Sequence, residues 1–145
     1  MNSMPDILHD FTVKADPSTV YRAITSPEGL DQWWTRRAQG HPEAGQEYEL
    51  WFGPDADWRA RVIEALPGQC FGFEMTGAAP DWLGTRVRFA LEAEGDTTKV
   101  RFSHSGWQSE SEHFKTSSYC WAMYLRVMRR FVECGEQVRY EDRLG

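Results

Sequence analysis

Few side chains in this sequence have the type and spacing to do chemistry. The four histidines are His9, His41, His104 and His113. No two stand at ligand spacing, and neither Cys-x-x-Cys nor His-x-x-x-His occurs, so no metal site is expected. Cys70, Cys120 and Cys134 have no neighbouring histidine to raise a nucleophile. There is no Gly-x-Ser-x-Gly elbow and no glycine-rich nucleotide loop, and no cofactor is expected. His104 stands apart. It closes a strand on the same face as Val100 and Phe102, so it points inward. A neutral imidazole there could hydrogen-bond a ligand carbonyl or act as an acid–base group. The plainer expectation is a bond to a side chain or backbone group of the closing turn or helix, which would order that corner.

Aromatic residues are the other resource. They make up 14% of the chain, with 7 Trp and 8 Phe. Large, stiff rings fill a wide interior with few residues, or line a void inside it. Trp33 and Trp34 are adjacent on a short helix and diverge by about 100°. One is expected to pack under the sheet–helix junction and the other to face the cavity mouth. The candidate ligand-binding set is Trp34, Trp51, Trp58, Phe73, Phe89, His104, Trp121, Tyr124 and Met128. Ligand pockets are mainly apolar with a few polar groups, and Tyr119 and Tyr124 could supply hydroxyl donors. No catalytic residue is assigned.

These groups need elements to position them. Ile7 to Ala15 alternates as a half-buried strand and stops at Asp16-Pro17, a good helix start. A short helix with Val20 and Ile24 follows, then Thr25-Ser26-Pro27 begins a second with Leu30, Trp33 and Trp34 on one face. Ala38 to Gln46 reads as a loop. Strands are expected near Glu47–Phe52, Trp58–Ala65, Cys70–Thr76, Thr85–Ala93 and Thr97–Ser105. Their short connections imply antiparallel neighbours. Arginines on the outer face, among them Arg59, Arg86 and Arg88, are placed to pair with Glu47, Glu64 and Glu74. Ser109-Glu110-Ser111-Glu112 reads as a capping box for a helix from about Glu110 to Cys134, ended by Gly135. That rod, roughly 37 Å long, turns Trp121, Tyr124, Leu125, Met128, Phe131 and Val132 to one side.

The order of elements gives an α+β fold: a curved antiparallel sheet of six or more strands, two short helices after strand 1, and one long C-terminal helix against the sheet. A length of 145 residues suits one domain, 1–145. The formal net charge of −6 repels phosphate, so neither nucleic acid nor an anionic membrane is expected as a partner. No secretion signal is read in Met1 to Asp6, and no apolar run nears the ~20 residues a membrane span needs. Three cysteines with no framework spacing read as reduced thiols, which points to the cytoplasm.

Several stretches resemble a known family in order. Phe11-Thr12-Val13-Lys14-Ala15, Val20-Tyr21-Arg22-Ala23-Ile24-Thr25, Pro27-Glu28-Gly29-Leu30 and Trp33-Trp34-Thr35 resemble the opening of START-like (SRPBCC) helix-grip domains. The branch is similar to the C-terminal domain of the activator of the ninety-kilodalton heat-shock chaperone's ATPase. Trp82-Leu83-Gly84-Thr85, Phe102-Ser103-His104-Ser105-Gly106-Trp107 and Trp121 continue the resemblance. It implies a helix-grip fold with a hydrophobic cavity between sheet and helix. The superfamily includes ligand carriers, polyketide cyclases, hydroxylase-associated domains and the co-chaperone branch, and it carries over no catalytic set.

Three functions follow as expectations. The first is binding of a small hydrophobic or amphipathic molecule in the cavity. The second is a cyclase- or hydrolase-type enzyme using the same space, with His104 and a tyrosine of the last helix as its polar pair. The third is an interaction module resembling the chaperone ATPase activator. The sequence shows no preceding domain to hold the chaperone's middle region, which puts this role behind the others. A homodimer and a chaperone stand as candidate macromolecular partners.

Overall fold

Alternating burial along β1 (Ile7–Val13) seats Ile7 and Val13 in the core, with Leu8 turned to solvent. The computed structural model describes residues 5–144. Met1 to Met4, part of the stretch read for a secretion signal, lie outside it. After β1 the chain turns through α1 (Pro17–Thr25) and α2 (Pro27–Trp33). Ser26 ends the first helix and caps the second, accepting from the Gly29 N–H at 3.0 Å. Gly29 allows the two helices to meet: a Cβ there would lie 2.7 Å from the Ala23 carbonyl oxygen.

Six more strands follow: β2 (Arg37–Gln39), β3 (Glu47–Gly53), β4 (Ala56–Leu66), β5 (Cys70–Gly77), β6 (Arg86–Glu94) and β7 (Thr97–Ser105). They form one antiparallel sheet with β1, in the order β1-β7-β6-β5-β4-β3-β2. The seventh strand is β2, which falls inside the stretch expected to be a loop. It is three residues long, too short for a readable period, and exists by pairing with β3. Register shifts in β3 and β4, between Trp51 and Gly53, Arg59 and Ala60, and Val62 and Glu64, mark where these strands bend.

The long helix α3 (Glu112–Cys134) crosses the concave face of the sheet. Its cap is Ser111, whose hydroxyl accepts from the Phe114 N–H at 3.1 Å; the helix therefore starts two residues later than the expected capping box. It ends at Gly135 with φ 68°. Trp121, Leu125 and Met128 face the core, with Trp121 against Phe102 at 4.6 Å between ring centroids. The outer face of the sheet carries the expected ion pairs, such as Arg88–Glu64 at 2.9 Å and Arg86–Glu74 at 3.3 Å. They are solvent-exposed and contribute little each.

Candidate functional site

Where the bent end of the sheet parts from α3, a half-open pocket of about 230 Å3 remains. Five aromatic rings close a circuit around it. Trp34 meets Phe52 at 5.4 Å, Phe52 meets Trp58 at 5.3 Å, and Trp58 meets Trp82 at 5.0 Å. Trp82 stacks on Trp121 at 5.8 Å, and Trp121 returns to Trp34 at 5.0 Å. Each ring comes from a different element. Trp34 follows α2, Phe52 lies on β3, Trp58 on β4, Trp82 on the β5–β6 turn and Trp121 on α3. The remaining wall includes Ser117, Cys120, Tyr124, His113 and Tyr140. Among the described residues no Lys, Arg, Asp or Glu lines it. Burial pushes the Tyr124 hydroxyl up to about 12 and also pushes the Cys120 thiol up, so both stay neutral near pH 7.

Hydrogen bonds behind the rings fix their orientation. An indole N–H can only donate, so the bond from Trp121 Nε1 makes His104 Nδ1 an acceptor, at 3.0 Å. His104 Nε2 then carries the proton and donates to Thr85 Oγ1 at 2.7 Å. The Thr85 hydroxyl in turn donates a hydrogen bond to the Trp82 carbonyl oxygen at 2.5 Å. Trp82 Nε1 donates to Ser117 Oγ at 2.9 Å, which ties the turn back to α3. Trp107 Nε1 donates to the His104 carbonyl at 3.1 Å. His104 is wholly buried, and burial, with a smaller contribution from His113, pulls its pKa down to about 3.

The expected residues divide accordingly. Trp34, Trp58, Trp121 and Tyr124 come together on the pocket wall. His104 does not face a ligand, because both ring nitrogens are used inside the protein. It is a positioning residue that sets two of the five rings. Phe89 and Met128 are packed core, and Phe73 borders only a gap of about 10 Å3 deeper in. The interior around these residues is packed, and open space survives as the aromatic pocket and as a cleft of about 240 Å3 between β1 and α3. Trp51 lies on the outer face, with the Arg37 guanidinium 4.8 Å from its ring. The reason is strand parity: Tyr48 and Leu50 are buried and Phe52 lines the pocket, while Glu47, Glu49 and Trp51 point the other way.

The wall residues not anticipated include Phe52, Trp82, Ser117 and Tyr140, with Ala56, His113, Thr116 and Cys120 beside them. Parity along β3 carried the signal for Phe52. Trp82 sits in a turn and Tyr140 in a segment after α3, where no period operates. Among the described residues no helix is long and apolar enough to cross a membrane.

Comparison with known proteins agrees with this architecture. The solved structure of the Aha1 dimer from Colwellia psychrerythraea superposes with a TM-score of 0.84 at 29% identity, covering 92% of this chain and 99% of that one. Protein BH1534 of Bacillus halodurans matches with a TM-score of 0.77 at 23% identity, over 92% of this chain and all of that one, 100%. DynU16, encoded in the dynemicin biosynthetic locus, matches at 0.79 and 19% identity, over 94% of this chain and 50% of its own longer one. Likenesses at 23% and 19% identity speak for the fold alone. No curated protein matches the sequence. The family model described as activator of Hsp90 ATPase homolog 1-like protein matches residues 14–133, and the chain belongs to that family, within the START-like helix-grip fold.

Proposed function

We propose that this protein binds a small, flat, uncharged molecule of apolar or amphipathic character in the aromatic pocket. The observation that carries this reading is the closed circuit of Trp34, Phe52, Trp58, Trp82 and Trp121 around open space. Rings tilted at 5–6 Å offer both faces and edges to another π-system. A wall without formal charge gives an ionic ligand nothing to replace its water. Binding is favoured over catalysis because His104 is spent on structure, and the one imidazole on the wall, His113, lies 3.7 Å from Asp81, outside hydrogen-bond reach. A single domain and a cytoplasmic location belong to the same proposal. The dimer of the Colwellia relative makes a homodimer the assembly to look for, by sedimentation velocity. A chaperone partner is the other candidate, to be sought by pull-down.

The test has two arms. Native mass spectrometry of freshly purified protein should show a co-purified neutral molecule. Titration with the neutral probe N-phenyl-1-naphthylamine should quench the pocket tryptophans. Trp58→Ala should weaken the probe about tenfold, the equivalent of about 1.4 kcal/mol. Trp51→Ala, on the outer face, should leave it unchanged. Equal weakening by both variants, or no probe binding at all, would remove the pocket as a ligand site.

A further inference from the structure

The chain does not leave the fold where α3 ends. Gly135 turns it, giving its N–H to the Arg130 and Phe131 carbonyls, and the Arg130–Glu136 ion pair fixes the first step. Val138 then packs against the core, and a short 3-10 turn (Tyr140–Asp142) brings Tyr140 to the pocket wall. This segment lies beyond residue 133, where the family model's match stops.

Arg143 holds the segment down. Its side chain is buried, with relative exposure of 6%. The guanidinium donates to three backbone carbonyls: Nε to Val138 at 3.2 Å, Nη1 to Thr35 at 3.2 Å, and Nη2 to Asp31 at 2.5 Å. Asp31 and Thr35 lie at the C-terminal end of α2, where unsatisfied carbonyls and the helix dipole both attract a cation. Arg36 makes a second tie. Its guanidinium lies 4.1 Å from the Tyr140 ring centroid, its Nε donates to the Phe52 carbonyl at 3.1 Å, and it pairs with Glu141 at 3.7 Å. Tyr140 is therefore held between the end of α2, which carries on to Trp34, and the β3 rim, which carries Phe52.

Residues outside long helices and strands stay on a fold only where something ties them down. Here the tie is a buried charge, whose desolvation opposes the docking that its hydrogen bonds favour. Opposed contributions of this kind make a latch that can release without unfolding the sheet. We infer that residues 136–144 form a strap closing the pocket, with Tyr140 as the residue that sets its size and access and Arg143 as the positioning residue that keeps Tyr140 in place. Tyr140's contact with a ligand rests on the binding reading above; closure by the strap does not.

Cys120 provides a reporter that needs no ligand, because it lines the pocket wall and is only partly buried. In a Cys134→Ser background, which removes the exposed thiol, N-ethylmaleimide should alkylate Cys120 slowly; Cys70 is buried. Arg143→Gln and Tyr140→Ala should each raise that rate at least tenfold, with the far-ultraviolet circular dichroism unchanged. Tyr140→Phe should restore the slow rate, since the ring and not the hydroxyl does the covering. A rate unchanged in both open variants would overturn the strap, as would a fall in Tm without faster labelling. Should Arg143→Gln fail to fold, the Tyr140→Ala and Tyr140→Phe pair decides alone. The neutral probe then separates the two ideas: absence of probe binding in the parent protein rejects the ligand reading, while the labelling rates still settle whether the strap closes the pocket.

Discussion

Protonating His104 would place a second ring hydrogen on Nδ1, directly against the N–H of Trp121. The donor chain from Trp121 through His104 and Thr85 to the Trp82 carbonyl runs in one direction only, and a cationic imidazole breaks it at its first link. Burial, with a smaller contribution from His113, holds the folded-state pKa near 3 against an ordinary value of 6.5, and the Trp121 donor opposes the added proton in the same direction. The sign follows by linkage. The unfolded chain takes up the proton as pH falls through 6.5, and the folded protein does so only near 3. Stability from this residue is thus complete above pH 6.5 and is lost progressively down to about 3, at up to about 1.4 kcal/mol per pH unit. Urea unfolding between about pH 5 and 7, above the range where most carboxylates titrate, should show that slope. His104→Asn should be less stable at pH 8 by about 1–3 kcal/mol, because the shorter amide cannot bridge Trp121 Nε1 and Thr85 Oγ1 and leaves one of them buried without its partner. It should also flatten the slope, and a variant with the parent's pH dependence would place the titration elsewhere. Ser117→Ala should have a milder effect, about 1 kcal/mol, by leaving Trp82 Nε1 without its acceptor.

Helix junctions position the first ring of the circuit. Trp34 caps α2, and α2 is set by its close approach to α1 at Gly29. Gly29→Ala would drive a methyl group into the Ala23 carbonyl at 2.7 Å, and neither backbone can yield without moving Trp34. The expected cost is about 1–3 kcal/mol by urea unfolding, with weaker binding of N-phenyl-1-naphthylamine. Ser111→Ala, which removes only the α3 cap, should cost about 1 kcal/mol and leave the pocket alone. Elements of this length announce themselves, since periods of two and 3.6 run through β1, β6, β7 and α3. The inward face of His104 could be read for that reason, and so could the wall positions of Trp58 and Trp121. Strand parity also tells against Trp51, which sits in phase with Glu47 and Glu49, since the size of a side chain does not decide which face of a strand it takes. Other features had no local cause to read. β2 exists through its partner alone, Trp82 is placed by a turn, and Tyr140 is placed by an arginine two of whose three partners lie more than a hundred residues earlier. The end of the sheet at which space survives depends on where β3 and β4 bend, and on how far the rings on five elements reach.

Charge acts over the molecule as a whole. The chain carries a formal charge of −6, while the pocket wall carries none. Two probes with the same ring system separate these facts: neutral N-phenyl-1-naphthylamine and its sulfonated analogue 1-anilinonaphthalene-8-sulfonate. The neutral probe has no Coulomb interaction to screen, so its Kd should stay level from about 0.05 to about 0.5 M salt. The sulfonate meets two separate penalties. Long-range repulsion by the net charge is screened as the Debye length shrinks from about 14 Å towards about 4 Å. Loss of sulfonate hydration inside a wall with no cation is local and hardly responds to salt. The sulfonate should therefore bind more weakly than the neutral probe at low salt, and the gap should narrow with added salt without closing. Fluorescence titration of both probes across that range measures the two contributions. Tighter binding of the sulfonate at high salt would mean that a cation reaches the ligand, and the uncharged wall would not be the surface that selects it.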